Sequence, residues 1–306
     1  MTTSVAFLSR HERFRSVPST NDIVRSWLIA GTAEVCLAVA GEQTSGRGRS
    51  GRTWTAPDGA GLLLSLGFRP NYLPPDRLWR LAAVVSLAMA DAAEEVAGLS
   101  VGKLRLKWPN DIVVEASAGG RAGPGAGSGS DRAAAGLRKV AGVLGETEGA
   151  GGADPLAVVG IGVNADWPVS EFPADLADSM ASLREVSGGR PIDSDQLLEA
   201  FLVHLEPRVL ALRDGHFDVA GWHDRQATTG RLIRLEGPGG SPETVRAVGV
   251  DGATGALLVE DPGAPGTERE ILAGEVVHVR LAAEDDESAA AAGPNAAAAD
   301  LPDVTP

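Results

Sequence analysis

The chain has 306 residues, room for two domains at roughly 100–200 residues each. Apolar residues make up 43% and charged residues 22%, an ordinary globular balance, with aromatics at only 4%. Asp and Glu outnumber Lys and Arg by 41 to 27, giving a net charge of −14. That balance argues against non-specific nucleic-acid binding, which neutralises phosphates with Lys and Arg, though it leaves room for a local basic loop. The single cysteine, Cys36, forbids an internal disulfide and fits a reducing compartment.

The N-terminal stretch MTTSVAFLSRHERFRS has no apolar core ahead of its charges, so no signal peptide is expected. Ser19 or Thr20 caps a short helix through Trp27, with Gly31 as its stop. Residues 35–40 read as a buried strand and 41–52 as a glycine- and arginine-rich loop. Residues 62–68 form a second strand. Leu78, Leu81, Ala82, Val85, Met89, Ala92 and Val96 recur at helical spacing and predict a long amphipathic helix. Its apolar stretch 81–90 contains Ser86 and stops at Asp91, well short of the roughly 20 residues a membrane span needs. No membrane association is expected, and a cytoplasmic location is.

Residues 104–114 are strand-like but contain Pro109, where the strand must bend or end. Residues 115–138 are mostly Gly, Ala and Ser and predict a flexible insertion. Two further strands cover 140–147 and 156–163, and a second long helix covers 194–213. After Trp222 come short β segments at 230–236, 244–250, 256–260 and 270–280, separated by Gly-, Pro- and Asp-rich turns. This order predicts an α+β catalytic domain over 1–221, a small all-β barrel-like domain over 222–281, and a disordered Ala-rich tail over 282–306. The tail carries six acids and no base, so the charge without it is −8.

Four segments carry chemistry. The densest is 43–54, QTSGRGRSGRTW, in which Gly46, Gly48 and Gly51 match a G-x-G-x-x-G pattern. The residues after it do not start a helix, and no acid ends a strand about 20 residues on, so a dinucleotide site is disfavoured. Arg47, Arg49 and Arg52 between the glycines suit a phosphate or carboxylate instead: glycines let the backbone approach and guanidiniums neutralise oxygens. The second is Lys107-Trp108-Pro109-Asn110-Asp111. Lys107 offers charge to a phosphate and Asp111 a ligand to Mg²⁺; a strand-end turn with a surface charge pair reads equally well. The third opens on Lys139, at the head of the small-residue run KVAGVLGE. It reaches into a pocket on one reading and ends an exposed strand on the other. The fourth is VVGIGVN, 158–164, whose glycines mark close approach by a ligand or a bend.

Taken in this order, Ser19-Thr20-Asn21, GRGRSGR with Trp54, KWPND, KVAGVL and GIGVN resemble the biotin protein ligases of the biotin–[acetyl-CoA-carboxylase] ligase type, over about residues 14–281. The resemblance implies a catalytic domain related to class II synthetases, with mixed sheet and helices, followed by an SH3-like β domain. It implies that Mg·ATP activates biotin as biotinyl-5′-AMP, and that a lysine of a biotin carboxyl carrier domain then takes the biotinyl group. By the same resemblance, biotin contacts fall on Ser19, Thr20, Asn21, Gln43, Gly46, Arg47, Gly48, Arg49, Lys139, Gly142, Gly160 and Gly162. ATP contacts fall on Arg47, Arg49, Arg52, Trp54, Lys107, Asn110 and Asn164. Asp111 serves the metal. Lys139 and Arg49 are the expected catalytic residues, one beside the reacting carboxylate and α-phosphate, the other retaining the adenylate. Trp54 is the expected adenine-facing aromatic.

The family's regulatory members carry an N-terminal helix-turn-helix domain. Here the Ser-Thr-Asn segment begins at residue 19, so a DNA-binding repressor role is not expected. Ser50 stands where relatives often have a basic residue or His. Lipoate ligases share the catalytic fold and the lysine, but the arginine loop with KWPND favours biotin. A ligand sensor without activity would have lost Lys139 or Arg49, and both are present. Oligomeric state is open. The scattered histidines 11, 204, 216, 223 and 278 lack metal-ligand spacing.

Overall fold

A computed structural model describes residues 7–109, 111–116, 136–237, 241–264, 266–273 and 278–281. These residues form two compact units, one built from the first seven strands and all the helices, the other from the last five strands. The expected tail 282–306, most of the 115–138 insertion and Asn110 lie outside the described residues.

In the larger unit the chain runs β1 (Arg10–Val17), α1 (Thr20–Ile29), β2 (Cys36–Gln43), β3 (Gly61–Phe68), α2 (Trp79–Ala97), β4 (Arg105–Lys107), β5 (Asp111–Glu115), β6 (Leu137–Glu148), β7 (Leu156–Asn164), α3 (Leu183–Val186), α4 (Ser194–Arg213) and α5 (Val219–Asp224). The sheet order is β1-β2-β3-β7-β6-β5-β4. β1 and β2 are parallel and the other pairs antiparallel. This is the expected mixed α+β architecture.

The central strands are apolar on both faces because both faces are covered: every residue of β7 after Leu156 is buried. Side chains alternate between faces along a strand. Val158 joins Val24, Trp27 and Leu28 of α1 in one apolar cluster. Gly160, two residues on, lies under Asn21 of α1. The other face of the sheet receives α2, whose Ala82 stands over Gly145 of β6, and α4 packs on α2. Buried Leu, Val, Ala and Met at helical spacing make α2 the spine of that layer.

Of the two outcomes expected at Pro109, a bend or an end, the structure shows the end. The chain reverses at Trp108-Pro109, whose peptide bond is cis, and β4 pairs back on β5 as a hairpin. β1 was not expected, since its RHERFRSV is mostly polar; it forms because its backbone pairs in parallel with β2. The expected boundary at 221/222 falls inside α5. The larger unit continues to Ala227 because Arg225 reaches back to Glu94 of α2 at 2.7 Å and to Asp91.

The smaller unit holds β8 (Leu232–Glu236), β9 (Glu243–Val250), β10 (Leu257–Glu260), β11 (Glu268–Ile271) and β12 (His278–Leu281) in an antiparallel sheet of order β11-β10-β9-β8-β12. Ile233, Leu235, Val245, Ala247, Leu257 and Val259 are buried at alternating positions, with Leu232, Val250, Ala256 and Ile271 buried beside them. The expected strand 270–280 is two separate strands at opposite edges of this sheet.

Candidate functional site

A cavity of about 360 Å³ opens on the α1 face of the larger unit. Its lining includes sixteen of the expected site residues: Ser19, Thr20, Asn21, Gln43, Arg47, Gly48, Arg49, Arg52, Trp54, Lys107, Asp111, Lys139, Gly142, Gly160, Gly162 and Asn164. They come from α1, β2, the arginine loop, β4, β5, β6 and β7. Segments nearly 150 residues apart in sequence, from Ser19 to Asn164, therefore converge on one wall-and-floor arrangement.

The floor is glycine because other groups lie directly on it. Gly142 and Gly162 are cross-strand partners. A Cβ at Gly162 would come within 2.5 Å of the Trp54 indole, and one at Gly142 within 2.8 Å of Lys139 Nζ. A Cβ at Gly160 would meet Asn21 Oδ1 at 2.2 Å. The Trp54 indole thus rests on the Gly142–Gly162 pair, and among the described residues its buried Nε1–H finds no acceptor. Gly46 does not line the cavity. It sits beneath the loop, where a Cβ would meet Trp54 O at 2.4 Å, so its glycine is required by the loop's own folding.

One wall is neutral and hydrogen-bonding. Ser19 precedes α1 as its cap residue, yet its side chain makes no capping bond. Gln43 Oε1 accepts from the Thr20 amide at 2.8 Å and from the Thr20 hydroxyl at 3.0 Å. Ser65 Oγ stands 2.7 Å from Thr20 Oγ1 and 2.6 Å from Asn21 Oδ1. Asn21 Nδ2 donates to Glu146 Oε2 at 2.7 Å. Ser65 and Glu146 were not foreseen. Ser65 lies in no motif and Glu146 only ends the KVAGVLGE run, where no role was expected of it; their places come from register, Ser65 opposite Gly160 and Glu146 opposite Val158.

The arginine loop is an ordered hairpin. Arg47 bridges Thr53, Gly48 N–H donates to Arg52 O, and the tip carries Ser50 and Gly51 at φ of 55° and 74°. The Arg47 guanidinium is a two-point donor to Asp22 at 2.8 and 2.7 Å, with Glu146 at 3.4 Å. This pairing holds the Asp22 carboxyl below its usual range and pushes the Arg47 guanidinium up. Arg49 is pushed the other way, by burial and then by neighbouring Arg52, with Asp111 opposing. A half-desolvated cation beside another cation gains when an anion arrives.

At the far end Lys139 Nζ stands 2.6 Å from Asp111 Oδ1, off the line of a hydrogen bond, and 5.1 Å from the Trp54 ring centre. The Lys139 backbone is clamped: its N–H donates to Ser179 O and its C=O accepts from Ala181 N–H, both at 2.8 Å. Asn164 completes the clamp, donating to Ala181 O at 3.0 Å and Lys139 O at 3.3 Å. Its amide protons are therefore directed at backbone. Trp167, Leu176 and Met180 of the following segment close this end with apolar surface that no motif announced.

Asp111 Oδ1 is buried and lacks an aligned hydrogen bond. That suits a magnesium ion held by one carboxylate and by substrate phosphates. Among the described residues no group of three His, Cys, Asp or Glu side chains is placed to bind a metal by itself. No helix among them is long and apolar enough to cross a membrane.

The chain also has recognisable relatives. The sequence pattern of the "Biotin/lipoate A/B protein ligase family" matches residues 13–164. The chain is similar to a biotin--[acetyl-CoA-carboxylase] ligase of Mycobacterium tuberculosis, 30% identical over 245 residues, which are 80% of this chain and 79% of that one. It is 29% identical over 175 residues to the bifunctional ligase/repressor BirA of Bacillus subtilis, covering 57% of this chain and 46% of that protein. Among solved structures it resembles the biotin protein ligase of Aquifex aeolicus in complex with biotin and ATP. The TM-score is 0.68 at 25% identity, over 90% of this chain and 100% of that one. The chain belongs to the biotin/lipoate A/B protein ligase family, on its biotin protein ligase side, and is a ligase enzyme.

Proposed function

We propose that this ligase joins biotin to one lysine of a biotin carboxyl carrier domain through biotinyl-5′-AMP. The observation that carries the reading is the division of the cavity. A neutral wall with both donors and acceptors, Thr20, Asn21 and Gln43, stands at one end. Lys139, Arg49 and Arg52 supply positive charge toward the other. A cyclic urea with an acid tail matches both, because a urea ring carries N–H donors and a carbonyl acceptor. A dithiolane ring would leave the neutral wall unanswered.

In the first step a biotin carboxylate oxygen attacks the α-phosphorus of ATP, and pyrophosphate leaves with the electrons of the broken P–O bond. Two anions must meet, and Lys139 places one cation between them. Arg49, short of solvent, pairs with phosphate oxygens. Asp111, Lys107 and Asn110 would hold the magnesium and the phosphates around it, and the ion would neutralise phosphate charge there. Trp54 provides the aromatic face for adenine. In the second step the carrier lysine's neutral amine attacks the mixed anhydride, the amide forms, and AMP leaves. The smaller unit is read as the SH3-like domain of the family.

Incubation with Mg·ATP and either biotin or lipoate, read by mass spectrometry, tests the reading. Biotinyl-AMP, and one biotin adduct on an added carrier domain, are expected. Lipoyl-AMP instead would move the enzyme to the lipoate side of the family. Neither adenylate, despite biotin binding, would make the chain a sensor.

A further inference from the structure

Resting on the biotin reading of the cavity, we infer that Glu146 is a positioning residue that sets the hydrogen-bond polarity of the ring-recognition wall through Asn21. The wall is a relay of three close contacts between two end groups. Gln43 Oε1 lies 3.0 Å from Thr20 Oγ1, Thr20 Oγ1 lies 2.7 Å from Ser65 Oγ, and Ser65 Oγ lies 2.6 Å from Asn21 Oδ1. At one end the Thr20 amide donates to Gln43 and so fixes which Gln43 atom is the oxygen. At the other end Asn21 Nδ2 donates to Glu146.

A carboxylate at neutral pH only accepts, so Glu146 admits only the Nδ2 side of Asn21 and turns Oδ1 inward. Both ends of the relay are then acceptors. Between them stand two hydroxyls with one proton each, and three contacts call for three. One acceptor is left without a proton. Thr20, Asn21 and Gln43 line the cavity, while Ser65 is fully buried behind them. The missing proton must therefore come from the cavity side, from a ligand N–H. The wall is built as a net acceptor.

With a neutral amide at 146 the same atoms settle differently. Asn21 turns over, its Nδ2 donates to Ser65, Ser65 donates to Thr20, and Thr20 donates to Gln43. Every relay contact is then filled, and no oxygen of the relay is left short of a proton that only the ligand can supply. Gly160 leaves Asn21 no other escape, since its Cα side is already against the Asn21 amide. Glu146 touches no ligand in this scheme. Arg25 at 3.1 Å and Arg47 at 3.4 Å occupy its other approaches.

The test is Glu146→Gln, with dissociation constants for biotin and for a biotin analogue methylated on both ureido nitrogens, measured by competition calorimetry. Biotin binding is expected to weaken roughly tenfold, the worth of one well-placed hydrogen bond in a buried site, while the analogue shifts less than twofold. The ratio between the two ligands thus falls. Equal weakening of both would mean that Glu146 only tethers the arginine loop, and would overturn the inference, as would no change in either. Ser65→Ala removes two of the contacts and one proton but leaves Glu146 on Asn21 Nδ2 and Asn21 Oδ1 bare, so it should keep the ratio; a fall in the ratio there would overturn the inference, and this variant serves if Glu146→Gln does not fold. Failure of the unaltered protein to bind biotin would refute the underlying functional reading and not this one.

Discussion

Lys139 and Asp111 face each other at 2.6 Å although they are not cross-strand partners. Asp111 pairs with Gly142 and Lys139 with Val113, because the β5–β6 register shifts between Ile112 and Val113. The shift brings the lysine of one strand and the carboxylate of the next into the cavity together. The contact also means that substrate must part them. Lys139→Ala is expected to lower adenylation by about 10²–10³, the usual cost of losing one charge-stabilising group. Biotin binding should fall far less, since the ring wall is untouched. Single-turnover adenylate formation and equilibrium binding together separate the two effects; equal losses in both would remove Lys139 from the chemical step.

Trp54 lies on glycine, and the distances make a sharp case of Gly162. An added methyl would meet the indole at 2.5 Å, and the indole has no flexible end to move aside. Gly162→Ala should therefore lift Trp54 off the floor. Adenylation is expected to drop at least about tenfold, with Tm changing by only a few degrees, since the displaced ring can move into the cavity. Wild-type activity in this variant would show that the indole's seat is not part of the working site.

Much of the site was legible because its residues sit in short runs whose composition serves no packing purpose. Three arginines among glycines, and glycines inside buried strands, are costly for a core and useful to a ligand. What escaped was long-range. Ser65 reads as a core serine in LLLSLGF and Glu146 as a strand-end charge until β3, β7 and β6 are placed side by side. The β4–β5 hairpin was hidden because a reversal at Pro109 leaves no glycine pair in the sequence. β1 was hidden because its charges outnumber its apolar residues, and only pairing with β2 makes it a strand.

The insertion at 115–138 leaves and re-enters the sheet at one place. Glu115 and Leu137 are cross-strand partners, and Ala116 N–H donates to Gly136 O. The strands on either side are thus closed without help from what lies between. Replacing residues 118–134 by a short Gly-Ser bridge is expected to leave the rate of biotinyl-AMP formation within about twofold, since shortening a loop between fixed ends costs little. A folded deletion variant without activity would assign the segment a part in the site.

Cys36 lies fully buried in the α1 cluster, and burial pushes its thiol up to about 11 from an ordinary 9.0. At pH 8 it should resist thiol reagents in the folded protein and react at once in urea. The sign for stability follows. Between pH 9.0 and about 11 the unfolded chain releases this proton and the folded chain keeps it. Stability then falls as pH rises through that window. Cys36→Ala should flatten that part of the Tm profile; an unchanged slope would place its cause elsewhere.

Arg47 and Asp22 tie the arginine loop to α1 by two hydrogen bonds. The Asp22 carboxyl titrates below its ordinary 3.8, first because Arg47 donates to it and then through the charges of Arg47 and Arg25. The tie is accordingly present above that ordinary value and lost as pH falls through the lowered one. At neutral pH it is fully made. Both side chains are substantially exposed, so its loss should loosen the loop without unfolding the protein. Asp22→Asn is therefore expected to speed amide exchange at Arg47, Gly48 and Trp54 while leaving exchange in β7 unchanged. If exchange at those three amides is already fast in the unaltered protein and does not rise, the loop is held open or closed by something other than this pair.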